Sequence, residues 1–518
     1  MSRAADAARP AAPPAHGPGP APGSAWPWPL LALPLSLAVA LGALAQFRLP
    51  LNHDVAWLLA LAGRVLEGAR LYVDYPEVNP PLIVWLNLPV AWAAQLTGLT
   101  PATAVRLAVV ALAGLALGAS ALLARGPIAA GGGAAMLALA AYVLVALPGY
   151  DFGQREHLAL LFALPYLVEA AGRAGGAPAS PGARLAVAAW ATVGIALKPH
   201  FVLVPLLVEA VVLAHGRRRP GAGLALMAAL LAAYGMVVLW LTPDYLPMMR
   251  LFARAYWHYG SDSWFDFLRV AQCQSALILV ACHWALRPAP RATGHVLSAA
   301  ALGFAVAAVV QHKGWSYHWY PVLALGWLLF AQAGAHAVAR RAWRGRPLAP
   351  ALAGALAILL AGLALLTAPR DGQRANPYPA LLGPPIHALG GGPVLVLASP
   401  LRVAYPLVTE AGLSATARFP SMGMVAAAWR TGDEAVGGYL RRTLAQDVLA
   451  RPPRLIVVES DPDSLPPGFD YLRYFGREPA LERLFQSSRQ VGAVGPFRIL
   501  RVAPAGAPGP VVSVPQHP

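Results

Sequence analysis

The residues able to do chemistry gather in four short stretches. The first runs from Asn52-His53-Asp54 through Arg64, Glu67, Arg70 and Asp74 to Glu77 and Asn79. The second reads Gly149-Tyr150-Asp151-Phe152-Gly153-Gln154-Arg155-Glu156-His157. The third is Lys198-Pro199-His200, and the fourth runs from Gln311-His312-Lys313 to His318-Trp319-Tyr320. Carboxylates such as Asp54, Glu77, Asp151 and Glu156 can take a proton from a hydroxyl. Cations such as Arg155, Lys198 and Lys313 can stabilise charge on a departing anion. His157 and His200 extend the candidate set.

The lysines carry a separate hint. Of the 39 Lys and Arg residues only Lys198 and Lys313 are lysines. Lysine is a compact point charge that suits a phosphate oxygen, whereas arginine is a planar fork. Ionisable groups at the edge of a hydrocarbon layer are costly and are functional candidates by default. Solvated loop ends and interfacial aromatic anchors are the competing explanation, and for Trp315, Trp319, Tyr320 and His318 it carries real weight.

The elements that must position these stretches are transmembrane helices. The chain of 518 residues is 58% hydrophobic and 12% charged, about half the charge of a soluble domain. Its mean hydropathy of +0.55 requires most of the length to lie in lipid. Apolar runs of roughly bilayer-crossing length fall at 28–46, 102–123, 129–148, 157–172, 185–197, 200–215, 222–242, 269–286, 295–311, 319–338 and 349–367. This predicts a polytopic α-helical membrane protein of about eleven spans. Residues 1–26, rich in Ala, Pro and Gly, read as a disordered cytoplasmic tail. Residues 27–369 form the membrane domain, with a long first outer loop at 47–101. Strand-like runs at 394–397, 455–458 and 497–502 mark 370–518 as a small α/β domain outside the cytoplasm.

With the N-terminus inside, the basic short loops at Arg125, Arg173 to Arg184, Arg217 to Arg219, Arg287 to Arg291 and Arg340 to Arg346 all face the cytoplasm. The four polar stretches then share the outer face. This requires 81–97 not to cross; Pro80-Pro81 opens it, Asn87 and Pro89 interrupt it, and it reads as a helix in the outer interface. The net charge of +16 is this topological signal and does not call for nucleic acid. Cys273 and Cys282 share one apolar run and form no disulfide framework. The loop 243–268, with Tyr256-Trp257-His258-Tyr259, reads as an aromatic belt or a wall of a lipid or sugar groove.

The stretch Asn52–Leu86 resembles the first external loop of the GT-C glycosyltransferases, the class that includes protein O-mannosyltransferases and the lipid A aminoarabinose transferase. The matching residues are Asp54, Gly68, Tyr72-Val73-Asp74 and Glu77 before Pro80-Pro81. Asp151 matches a second acidic landmark of that class, with Glu156 as the alternative. The sequence departs from the class at Val55, where many relatives have a second acid, and at FGQREHL. The resemblance implies a GT-C-like fold and transfer of a sugar from a polyprenyl-phosphate donor to a lipid, glycan or protein acceptor at the outer face, with inversion. In that frame Asp54 is the base, and Asp151 and Glu77 orient the acceptor or hold a divalent metal ion. Lys198, Arg155, Lys313 and His200 are donor-phosphate partners. No cofactor is required by the reading. The expected compartment is a bacterial inner membrane. Competing readings are a lipid or sugar transporter or flippase, and a non-catalytic assembly protein.

Overall fold

The computed structural model describes residues 28–124, 132–216, 221–257, 259, 263–340, 348–462 and 464–503. The tail 1–26, His258 and most of the basic loops used for orientation (Arg125, Arg217 to Arg219, 341–347) lie outside the described residues.

Each expected apolar run contains a helix. In chain order the membrane-domain helices are α1 (Trp28–Gln46), α2 (His53–Leu66), α3 (Leu82–Thr97), α4 (Pro101–Leu123), α5 (Ala134–Val145), α6 (Arg155–Ala174) and α7 (Pro181–Ile195). They continue with α8 (Leu203–Ala214), α9 (Ala222–Leu241), α10 (Tyr245–Trp257), α11 (Ala271–Leu286), α12 (Arg291–Val310), α13 (Tyr320–Arg340) and α14 (Leu348–Ala375). Among the described residues, five helices are each long and apolar enough to cross a bilayer: Pro101–Leu123, Ala222–Leu241, Arg291–Val310, Ser316–Val338 and Ala349–Ala375. Shorter apolar helices accompany them, and the chain is a multi-pass membrane protein.

Helix α3 occupies the stretch that was expected to stay in the interface. Its 16 residues span about 24 Å at 1.5 Å each, short of the ~30 Å hydrocarbon core. Gly98 ends it in the left-handed region, with φ +70, and Thr100 caps α4 at Thr103 N. Helix α6 is the axis of the bundle. Nearly all of its side chains are buried, and it packs against α4, α7, α8, α12 and α13. Its N-terminus is fixed by a tight turn: Gly153 takes φ +83, a conformation open to glycine, between a 3-10 turn at Gly149–Asp151 and Arg155.

Beyond α14 come α15 (Tyr378–Ala388), α16 (Leu401–Ala404), α17 (Leu407–Glu410), α18 (Gly423–Thr431), α19 (Glu434–Ala450), α20 (Tyr471–Phe475) and α21 (Pro479–Gln486). The strands are β1 (Pro393–Leu397), β2 (Ser414–Ala415), β3 (Leu455–Glu459), β4 (Ser488–Val494) and β5 (Phe497–Val502), in the order β2-β1-β3-β5-β4. Strand β1 runs parallel to β2 and β3, while β5 is antiparallel to β3 and β4. The three sequence-predicted strands are therefore β1, β3 and β5. Every residue of β3 is buried, as an apolar central strand covered on both faces requires.

This α/β unit packs against Leu51, α2 and α4. Glu410 Oε1 accepts from Leu51 N at 2.7 Å and lies 3.4 Å from Arg106. The Tyr405 ring meets Trp57 of α2 edge-on at 5.3 Å. The contact closes a space above the bundle, and the site lies there.

Candidate active site

A cavity of about 930 Å³ lies between one end of the helix bundle and the α/β unit. Three of its walls come from sequence regions far apart: α2 with the loop to Glu77, the turn before α6, and segments 400–402 and 419–424.

Asn52 builds the first wall. Its side chain accepts from Asp54 N at 2.9 Å and caps α2. Asp54 thereby sits in the first turn, where the helix dipole favours negative charge. Its Oδ2 accepts from Arg155 Nη2 and from Gln154 Nε2, both at 3.0 Å. Gln154 Nε2 also donates to Asn52 Oδ1 at 2.8 Å, and Asn52 Nδ2 donates to Asp151 Oδ1 at 3.3 Å. Asn52 and Gln154 thus join the two acids without an ion pair between them. His53 Nδ1 lies 3.1 Å from Tyr150 Oη, which also accepts from Asn376 Nδ2 at 3.3 Å.

The two acids are tuned apart. Burial alone would raise the Asp54 carboxyl, but His53, Arg155 and Gln154 outweigh it and hold it below the usual carboxylate range. Asp151 has no cation beside it. Burial first, then the charges of Glu156 and Asp54, push it up to about 7. Paired carboxylates separated in this way can serve as base and proton donor in one reaction.

Glu77 also lines the cavity, but its oxygens are occupied. Oε2 accepts from Trp57 Nε1 at 2.6 Å; Oε1 accepts from Val78 N, Asn79 N and Asn79 Nδ2 within 2.9 Å. It fixes the end of the loop against α2.

Of the expected cations, the structure brings Arg155 to the cavity wall and sets the others behind it. Lys198 is 7% exposed and donates to Glu156 Oε1 at 2.5 Å and Gln311 Oε1 at 2.6 Å. Burial lowers it to about 8, although Glu156 opposes that shift. Lys313 donates to the backbone oxygens of Tyr256 and Tyr259, and so pins the end of α10. His200 lies in the turn between Lys198 and α8 and does not line the cavity. His157 is buried with both ring nitrogens engaged, by Gly153 N and Leu144 O. Among the described residues no group of three or more His, Cys, Asp and Glu side chains is placed to hold a metal ion.

Sequence reasoning missed Arg402. It enters the cavity from the α/β unit, just after β1, and its guanidinium stands over the Tyr378 ring at 5.5 Å. It belongs to no motif, and only the folding of the C-terminal unit over α2 brings it here. The bridging role of Gln154 was likewise hidden, since it depends on a partner about a hundred residues away.

No protein-family model and no curated protein sequence matches the chain. Solved structures do. The crystal structure of ArnT from Cupriavidus metallidurans bound to undecaprenyl phosphate superposes with a TM-score of 0.57 at 16% identity, covering 91% of this chain and 98% of that one. The apo structure of ArnT gives a TM-score of 0.53 over 90% and 97%. The chain has a GT-C-type fold. The likeness extends through both the bundle and the α/β unit, since nearly the whole of each chain is covered. With this fold the site stands where α2 and its loop to Glu77, the turn before α6 and the C-terminal unit converge.

Proposed function

We propose that the chain is a GT-C-type glycosyltransferase that moves a sugar from a polyprenyl-phosphate donor to an acceptor hydroxyl at the outer face of a bacterial inner membrane. The observation that carries this reading is the one cavity that Asp54, Asp151 and Arg155 line together, on a fold shared with a protein solved with undecaprenyl phosphate. In this reading the eleven apolar helices cross, α2, α3 and α10 lie at the outer interface, and the α/β unit is extracytoplasmic.

The roles follow from the geometry. Asp54 is ionised, and its Oδ2 is held by Arg155 and Gln154, which leaves Oδ1 to accept the acceptor's proton as that oxygen attacks the anomeric carbon. The C–O bond to the phosphate breaks on the opposite side, so the anomeric centre inverts. Arg155 and Arg402 are the cations that face the departing phosphate. Asp151, protonated, donates to and orients the acceptor. Glu77 positions the loop, while Lys198 with Glu156, and Lys313, hold the scaffold.

The decisive assay is incubation of purified protein with a set of polyprenyl-phosphate sugars and hydroxyl-bearing lipid, glycan and peptide acceptors, followed by mass spectrometry of released polyprenyl phosphate and glycosylated product. Release that disappears in Asp54→Asn is expected. The sidedness has its own test, in a background without Cys273 and Cys282. A membrane-impermeant thiol reagent applied to intact spheroplasts should label Glu482→Cys and spare Pro178→Cys. The reverse pattern would put the cavity on the wrong face.

A further inference from the structure

The sheet of the α/β unit has two ends. Pro400, Leu401 and Arg402, just beyond β1, line the large cavity at one of them. The opposite end lies about 17 Å away, the length of five strand residues. Exposed arginines gather there. Arg501 of β5 stands directly opposite Arg489 of β4 on one side and Leu455, the first residue of β3, on the other. Arg454 immediately precedes β3. It donates to Gly390 O at 3.3 Å, and Arg501 donates to the neighbouring Leu389 O at 3.3 Å. Arg451 continues the row toward β2, with a bond to Ala415 O at 3.3 Å; its nearby acid, Asp447, is held by Arg418 at 2.6 Å. We propose that this end of the sheet binds a linear anionic glycan, through carboxylates or phosphates on units remote from the hydroxyl that reacts. This rests on the glycosyl-transfer reading above.

Three observations point to that chemistry. The first is charge. Like charges directly opposite one another in a sheet are destabilising, yet Arg454, Arg489 and Arg501 have no ion-pair partner among the described residues. Anions on a ligand would supply what the fold withholds. The second is the turn beneath them. Gly390, Gly391 and Gly392 all take positive φ, at +95, +55 and +99. A Cβ on Gly392 would fall 2.6 Å from Arg454 Cδ, and one on Gly390 would fall 3.3 Å from its Nη2. The turn thus gives up side chains where the Arg454 stem crosses it. The third is the absence of apolar anchors. No large hydrophobic side chain is exposed among the described residues of 387–397, 452–459 and 488–503. A protein interface needs an apolar core and a bilayer-docking face needs apolar anchors, so this surface suits a hydrated polyanion instead. Neighbouring strands are about 4.8 Å apart. The cations therefore form a row, matched to a chain with charge on successive units rather than to a single ion.

The test uses the full chain in nanodiscs of phosphatidylcholine, which add no net charge, and reads binding of fluorescent oligomers by anisotropy. Oligogalacturonates form the carboxylate arm, glycerol-phosphate oligomers the phosphate arm, and methyl-esterified oligogalacturonate the uncharged control. At least one charged series should bind, more tightly as it lengthens and less tightly as salt is added; the ester should not bind. Arg489→Glu should weaken binding about tenfold, since an attractive charge contact becomes a repulsive one. It should also raise the melting temperature, because a like-charge pair across β4 and β5 becomes an opposite one. A variant that merely failed to fold would melt lower. Arg454→Gln combined with Arg501→Gln should weaken binding at least as much. Equal binding of acid and ester, no binding of either charged series, or binding unchanged in these variants overturns the proposal. So does tighter binding of phosphatidylglycerol vesicles than of the oligomers, which would make the partner a lipid surface. Polyprenyl-phosphate release with a short neutral acceptor separates the two readings, since it does not need this end of the sheet. Release without oligomer binding removes this site alone. Oligomer binding without release from any donor removes the transfer reaction, and with it the acceptor role given to the glycan.

Discussion

Arg155 and Glu156 are neighbours at the start of α6, and they take partners in opposite directions. Arg155 reaches Asp54 at the cavity wall, 3.0 Å away, where the Asp54 side chain is 17% exposed. Glu156 turns behind the wall to Lys198, with side chains 1% and 8% exposed. A pair at the edge of a cavity can trade one partner for a ligand. A pair sealed in the protein has already lost its hydration, and neither member can leave without stranding the other. Two adjacent ion pairs of similar composition therefore serve different ends, one facing the reaction and the other holding the helix that presents it.

The sharpest way to break this distinction is to remove one member of the sealed pair. Lys198→Met leaves Glu156 buried and uncompensated, a loss of about 3–5 kcal/mol. Thermal unfolding in detergent should show a large fall in melting temperature and poor yield. Lys198→Met combined with Glu156→Leu should recover most of it, because an apolar pair of similar volume has no charge to desolvate. If Lys198→Met melts like wild type and loses only turnover, the lysine serves the cavity and the comparison collapses.

The open pair should answer in the opposite way. Asp54→Asn keeps the shape of the side chain and an oxygen for Arg155. Transfer should drop at least about a hundredfold, the low end for a general base, with melting and yield near wild type. An Asp54→Asn enzyme that turns over normally would falsify the assignment of the base.

The same contrast explains what could be read from the sequence. The apolar runs were legible because a bilayer imposes length and composition on each helix separately, and the break before α3 was legible from Pro80-Pro81. Asp54 and Asp151 were legible because both stand at loop ends next to apolar runs, where an acid is costly. The two lysines were visible as exceptions in an arginine-rich chain, and the structure buries both away from the cavity lining. What they touch was not legible. Glu156 lies 42 residues from Lys198, and the backbone oxygens that Lys313 bonds belong to Tyr256 in the last turn of α10 and to Tyr259 just beyond it. Arg402 was invisible for the same reason, since its position depends on how the C-terminal unit docks.

A smaller effect sharpens the comparison inside the cavity itself. Asp54 is held ionised by its cation, whereas Asp151 lacks one and is raised to about 7 by burial and by its acidic neighbours. If protonated Asp151 orients the acceptor, transfer should fall as pH rises through about 7. In Asp151→Asn the side chain still donates a hydrogen bond but cannot titrate. Its rate should be several-fold lower, and that limb should flatten. A limb near pH 7 that survives in Asp151→Asn assigns the titration to another group.

The smallest expected effect is on stability, and its sign is fixed by the direction of the same shift. The Asp151 carboxyl has an ordinary value of 3.8 in the unfolded chain and about 7 in the fold. The fold therefore binds this proton more tightly than the unfolded chain does. Its stabilising contribution is fully present below about pH 4 and is lost progressively as pH rises to about 7. Above that pH the fold must accommodate a carboxylate in the field of Asp54 and Glu156. Asp151→Asn removes that burden while keeping the oxygen that accepts from Asn52. Asp151 is partly exposed, so the effect is damped by solvent, and a large chain shows it as a shift of only about 1–2 °C. The comparison to make is the difference in melting temperature between Asp151→Asn and wild type at pH 8 and at pH 5. It should be positive at pH 8 and should shrink at pH 5. A difference that is equal at the two values would mean that Asp151 is charged in the fold throughout, and the contrast between the two acids would fail.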